Sequence, residues 1–147
     1  MILVSALEIA GHVRDLVIAY TIALPLGSDR ERSERSAGIR TFPLVAMASC
    51  GFVLIALRAV GEGAQQARII EGLITGMGFI GGGAILKRAS ETRGTATAAS
   101  LWATGAIGAA VGYGLYDIGV VLSVATFATL RWNRGFKRID EKSSDVA

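Results

Sequence analysis

Of 147 residues, 52% are hydrophobic and 18% charged, against roughly 25% charged in an ordinary soluble domain, and the apolar residues come in runs instead of alternating with polar ones. The 19 glycines and two prolines form no short repeat, which excludes a collagen-like or proline-rich chain. A single cysteine, Cys50, and a single histidine, His12, exclude an intrachain disulfide, a zinc set and a Cys–His nucleophile.

The uncharged intervals are Leu16 to Ser28, Thr41 to Leu57, Gly72 to Leu86, Gly94 to Tyr116 and Ile118 to Leu130, or 13, 17, 15, 23 and 13 residues. A membrane-spanning helix needs about 20 mostly apolar residues. The first interval reaches that length only by taking in Glu8 to Asp15, and these charges also remove any cleavable signal pattern. It predicts a helix over roughly 3–27. The second and fourth qualify unaided and predict helices over roughly 41–58 and 94–113. The third takes in Glu71 and the fifth Asp117, giving roughly 68–87 and 115–131. The expected fold is an all-α integral membrane protein of about five transmembrane helices, with a transmembrane domain over 1–131 and a basic cytoplasmic tail over 132–147.

Lys and Arg set the orientation, because cytoplasmic loops retain positive charge. Four lie between Asp29 and Arg40, three between Lys87 and Arg93, and five after Leu130, twelve of the fifteen in the chain. Five spans with the N-terminus outside and the C-terminus inside place all twelve on one side, leaving Arg14, Arg58 and Arg68 for the other. The net charge of +3 is thus a topology signal, and no nucleic-acid partner is expected.

With this topology Asp15, Glu71 and Asp117 fall near the outer helix ends. Glu8, His12 and Asp15, spaced i, i+4, i+7, share one face. These five residues form either an outer cation or proton site or a set of snorkelling and interfacial ion pairs, such as Arg68 with Glu71.

The third segment matches G-x-G-x-x-G at Gly76, Gly78 and Gly81, but the dinucleotide fingerprint needs a strand before it and a soluble βαβ frame. The same glycines give Gly72-x-x-x-Gly76 and Gly78-x-x-x-Gly82, which let helices approach closely in lipid. They predict the closest helix–helix contact here, within the subunit or across a homo-oligomer. The Gly81–Gly83 run alternatively marks a broken helix facing a cavity or ligand. In the fourth segment Gly105, Gly108 and Gly112 repeat the theme, with Thr97, Ser100 and Thr104 as candidate interhelical donors. In the tail, Trp132, Phe136 and Ile139 share a helical face among basic residues, predicting a short interfacial helix to about Ile139 and disorder to Ala147. Gly135 weakens that helix.

The strings AGIRTFPLVA (37–46), ITGMGFIGGGAIL (74–86) and RGTATAASLWATGAIGAAVGYGLY (93–116), in that order, resemble the MgtC/SapB family of bacterial inner-membrane proteins. The resemblance runs from about Arg14 to Leu130. Its motif residues fall on Asp29, Arg30, Gly38, Arg40, Thr41, Gly76, Gly78, Phe79, Gly81 and Gly83, then Arg93, Gly94, Thr97, Ala98, Ala99 and Trp102. Asp29 stands where the family more often has Glu, and Pro25 enters a helix end usually rich in Gly and Leu. The resemblance implies that longer relatives carry a soluble C-terminal domain, which is not expected within these residues.

The resemblance implies a multi-pass inner-membrane protein linked to adaptation to low magnesium and, in pathogens, to virulence. It further implies regulation of other membrane machinery, with an ion or small-solute transporter or channel as the alternative. The expected partners are the bilayer, another membrane protein complex and a second copy of the chain. No cofactor is expected, Mg²⁺ remaining open, and no enzyme chemistry, since no nucleophile–base or metal set is visible. By depth, Asp29, Arg40 and Arg93 are expected to meet at the inner face, as a helix–helix pin or as a cradle with Thr41 and Thr97 for an anionic group.

Overall fold

The computed structural model describes residues 5–32, 37–59, 64–88 and 91–144, apart from the side chains of residues 64, 86–88, 91–93 and 133–144. Five helices follow one another: α1 (Ala6–Glu31), α2 (Thr41–Ala59), α3 (Ala64–Gly83), α4 (Thr95–Gly112) and α5 (Tyr116–Ser144). Between α3 and α4 lies a hairpin of two three-residue strands, β1 (Leu86–Arg88) and β2 (Glu91–Arg93), pairing antiparallel with Lys87 opposite Thr92. The all-α expectation therefore needs this one addition. α3 also ends four residues earlier than expected, because the Gly81–Gly83 run closes the helix. Ala84 and Ile85 then turn back through bonds from their N–H groups to the carbonyls of Gly81 and Gly82.

α1 begins with a capping box. The Ser5 hydroxyl accepts the Glu8 N–H and the Glu8 carboxylate accepts the Ser5 N–H, at 3.2 and 3.0 Å, so two of the four orphan donors are satisfied. Pro25 does not end the helix, which continues to Glu31. In the tail, α5 runs through Gly135 to Ser144 without interruption. The expected short separate helix is thus the end of α5, and no backbone break marks the 131/132 boundary. The side chains of Phe136 and Ile139 lie outside the described residues.

α4 is the central element, packed on each of the other four helices. Its composition explains this: Ala and Gly present little bulk in any direction, and a helix apolar all round is a buried one. Packing pairs fix the helix directions. Leu16 meets Gly51, so α1 and α2 run antiparallel, whereas Ala46 meets Gly108 and Val53 meets Gly112, so α2 and α4 run parallel. Met77 at Gly105 and Ala98 at Gly81 set α3 against α4, and Asp15 at Tyr116 with Ile22 at Gly119 and Ser123 aligns α1 with α5. The result is an up-and-down bundle in which α1, α3 and α5 point one way and α2 and α4 the other.

Its core has two parts: Leu26, Phe42, Leu101, Ile107 and Leu130 towards one end, and Ala19, Ala23, Ala46, Cys50 and Val111 in the middle. α1 and α2 are each long and apolar enough to cross a membrane.

The glycines act differently from the expectation. The closest backbone approach is made by α4, where a β-carbon on Gly108 would run into the Ala46 carbonyl and one on Gly112 would lie 2.7 Å from Val53. On α3, Gly72, Gly76, Gly78, Gly82 and Gly83 have nothing within 4 Å of that position, and only Gly81 packs, against the Ala98 carbonyl. The α3 glycine face is open because the small residues of α4 pair with α2.

Candidate functional site

The bundle gathers polar groups at its two ends. At the end where α1 begins, the buried Asp15 anchors a three-residue network. Arg14 Nε donates to Asp15 Oδ1 at 2.9 Å, the Tyr116 hydroxyl donates to the same oxygen at 2.7 Å, and Arg14 Nη2 donates to the Tyr116 oxygen at 2.8 Å. The guanidinium also lies 5.7 Å from the Tyr116 ring centroid. A carboxylate leaving water needs such partners, and the first residue of α5 supplies one of them.

Glu8, His12 and Asp15 share a helix face in sequence, yet the fold spreads them over two neighbours. Asp15 meets α5. Glu8, beyond its capping role, lies 3.7 Å from Arg58 on α2, and His12 lines a cavity with Leu16, Gly51, Leu54, Ile55 and Arg58. Glu71 is exposed on α3 and Asp117 in the first turn of α5. Arg68 and Glu71, both exposed, do not form the expected ion pair. Among the described residues no three of His, Cys, Asp and Glu come together as a metal-holding group. The geometric cause is that α3 packs on α2 and α4, away from the α1–α5 seam that holds Asp15.

At the opposite end Asp29 and Arg30 are almost fully enclosed, their side chains 2% and 7% exposed, with Arg30 Nη2 3.1 Å from Asp29 Oδ2. The Glu31 carboxylate accepts the Ile39 N–H at 2.7 Å. Gly27 packs against the backbone of Gly38 and Ile39, where a β-carbon would come within 2.9 Å. The chain between α1 and α2 is thereby strapped to the end of α1. Arg40 is exposed and does not pair with Asp29; Thr41, half-buried, donates its N–H to the Gly38 carbonyl. The Arg93 side chain lies outside the described residues. Gly94 caps α4 with φ +94°, and a β-carbon there would strike the Ala84 carbonyl, so this motif glycine is required by the backbone.

The candidate interhelical donors of α4 stay within their own helix: Ser100 Oγ donates to the Thr97 carbonyl and Thr104 Oγ1 to that of Ser100. The hydroxyls that do cross between helices, among the described residues, are those of Tyr116, to Asp15, and of Ser123, to the Ile22 carbonyl at 2.6 Å. Neither Ser123 nor Tyr116 stood out in the sequence, because nothing local to either residue indicates a partner about a hundred positions away.

Thr97 and Ala98 are buried, whereas two motif aromatics face outward. Phe79 is 87% exposed and Trp102 51%, and the packing of Met77 on Gly105 and of Gly81 on Ala98 puts both at the same depth in the bundle. Gly76, Gly78 and Gly83 are exposed beside them on α3.

A sequence profile of the MgtC family matches residues 16–139. The chain is 39% identical over 137 residues to the protein SrpB of Synechococcus elongatus, covering 84% of this chain and 74% of that one. It is 34% identical over 122 residues to YhiD of Escherichia coli K12, named as a candidate magnesium transporter, covering 78% of this chain and 57% of that one. It is also 34% identical over 116 residues to the protein MgtC of Brucella abortus, covering 77% and 48%. The match thus spans only about half the length of the last two relatives. No solved structure matches.

Proposed function

Since the chain belongs to the MgtC family, we propose that it is a multi-pass protein of the bacterial inner membrane, crossing five times with its N-terminus outside. In this reading it regulates other membrane machinery in adaptation to low magnesium and, in a pathogen, in virulence. The alternating helix directions support the topology, since they put the Arg-rich segments at 29–40 and 87–93 at one end of the bundle and Arg14, Arg58 and Arg68 towards the other.

One observation carries the regulatory reading. Phe79, Trp102 and Gly78 belong to the family motifs but are exposed on the surface of the subunit, where a partner can reach them. Large aromatics beside bare helix backbone suit a close helix–helix interface in lipid, formed with another membrane protein or with a second copy of this chain.

The name of YhiD favours a transporter as the second reading. Against it, Asp15 and Asp29 are already paired at opposite ends, α3 is unbroken until Gly83, and the middle of the bundle is filled by Ala19, Ala23, Ala46, Cys50 and Val111. Flux measured in proteoliposomes under Mg²⁺, K⁺ and H⁺ gradients separates the two: the regulatory reading expects none above empty vesicles, and protein-dependent flux of any of the three would establish the transporter.

A further inference from the structure

The cavity between α1 and α2 has a polarity gradient that follows the bundle axis. Arg58 stands at its rim, with the Glu8 carboxylate 3.7 Å from that guanidinium just beyond the lining; one turn deeper is His12, and below come Ile55, Leu54, Leu16 and Gly51. Its volume, about 480 Å³, falls within the range of roughly 300–1,000 Å³ usual for small-molecule sites. Gly51 keeps the floor open, its missing β-carbon lying 3.9 Å from the nearest Leu16 methyl.

The rim charges are incompletely used. At 3.7 Å the Glu8–Arg58 pair is a Coulombic contact beyond hydrogen-bond range, so among the described residues the five N–H donors of Arg58 make no hydrogen bond. Glu8 Oε2 takes the Ser5 N–H, leaving Oε1 without a partner among the described residues. A cation and an anion held side by side but not joined, above an apolar trench, match a ligand that carries both charges at one end and a hydrocarbon chain at the other.

We propose that this cavity binds a zwitterionic phospholipid of the outer leaflet, of the phosphatidylethanolamine type. The phosphate sits on Arg58 and His12, the ammonium on Glu8, and one acyl chain lies along Leu16, Gly51, Leu54 and Ile55. A guanidinium is suited to phosphate by charge-assisted hydrogen bonds, and the carboxylate selects against an anionic headgroup, which would bring like charge to Glu8. The inference rests on the membrane reading above, with this end of the bundle outside.

The test is native mass spectrometry of the full chain released from nanodiscs of equimolar phosphatidylethanolamine and phosphatidylglycerol. The wild type should retain phosphatidylethanolamine in preference. Arg58→Gln should lower its retention about tenfold, the equivalent of roughly 1.4 kcal/mol, Glu8→Gln should abolish the preference over phosphatidylglycerol, and Gly51→Phe should block the trench. Helical circular dichroism of each variant confirms that the bundle is intact, and Arg58→Gln decides the matter should Gly51→Phe not fold. Equal retention of the two lipids by the wild type, or undiminished retention by folded Arg58→Gln, overturns the site while leaving the membrane reading standing. Failure of the chain to enter nanodiscs overturns both.

Discussion

Gly108 of α4 and Ala46 of α2 approach so closely that a β-carbon on the glycine would collide with the alanine carbonyl oxygen. In lipid there is no hydrophobic drive between helices, so such close packing is a main source of association. Gly108→Leu should therefore cost about 3 kcal/mol or more, at or beyond the top of the usual overpacking range. Gly78→Leu, with nothing within 4 Å of its β-position, should leave the stability of the subunit nearly unchanged. Denaturant midpoints in detergent measure both, and a Gly78→Leu variant as unstable as Gly108→Leu would show that α3 is packed more tightly than the bundle implies.

The Asp15–Tyr116 hydrogen bond ties α1 to α5 across the seam near the end where α1 begins. Tyr116→Phe removes one partner of a buried carboxylate and should cost about 1–2 kcal/mol. Asp15→Asn should cost less, because the amide oxygen still accepts from Tyr116. A double-mutant cycle of Asp15→Ala with Tyr116→Phe, each of which removes the bond, should give a coupling of about 1 kcal/mol; additive losses would mean that the two side chains do not share this bond.

Asp29 and Arg30 are the most deeply enclosed charges among the described residues, and removing Asp29 takes from the buried Arg30 guanidinium its carboxylate. Asp29→Ala should destabilise by about 3–5 kcal/mol. Arg40→Ala, at an exposed position, should stay within about 0.5 kcal/mol, so any functional loss in Arg40→Ala reports an encounter outside the subunit. An Arg40→Ala protein as unstable as Asp29→Ala would instead place Arg40 inside a structural network.

Hydropathy and positive charge were enough to read five helices and their alternation, because both signals are local or additive along the chain. Pairings were harder. The i, i+4, i+7 spacing of Glu8, His12 and Asp15 holds, yet three residues along one rising face span more than a turn and meet different neighbours: Arg58, the trench and Tyr116. The glycine pattern on α3 was as regular as that on α4, and nothing in spacing tells which stripe finds a backbone. That choice is made by bulk on the facing helix, where Ala46 leaves room for Gly108. The acidic–basic pair Asp29–Arg30 was legible as a motif, but its burial depends on the strap from Glu31 to Ile39, whose donor is a backbone N–H invisible to residue type.

If Phe79 and Trp102 serve a partner, their replacement should spare the fold. Phe79→Ala and Trp102→Ala should shift stability by less than about 1 kcal/mol, since both are largely exposed. They should lower cross-linking from a photoreactive group at position 76 at least several-fold in native membranes. Unchanged cross-linking with a stable fold would remove these aromatics from the interface.

The topology itself can be tested by single cysteines placed in the connections. Cys50 is buried in the bundle, so it should contribute little labelling background, and Cys50→Ala removes it altogether. In that background Arg35→Cys reports the connection between α1 and α2, and Glu62→Cys the connection between α2 and α3. α1 and α2 run antiparallel, as Leu16 at Gly51 and Glu8 at Arg58 show, so α2 begins and ends at opposite ends of the bundle, and cysteines in the two connections that flank it must label oppositely in a chain that spans. On the proposed topology the arginines at 30, 32, 35 and 40 keep the first connection in the cytoplasm. A membrane-impermeant maleimide should therefore modify Glu62→Cys in intact spheroplasts and Arg35→Cys only after lysis. The reverse pattern would invert the bundle and move the Arg58 cavity to the inner leaflet, and labelling of both before lysis would mean that α2 does not cross.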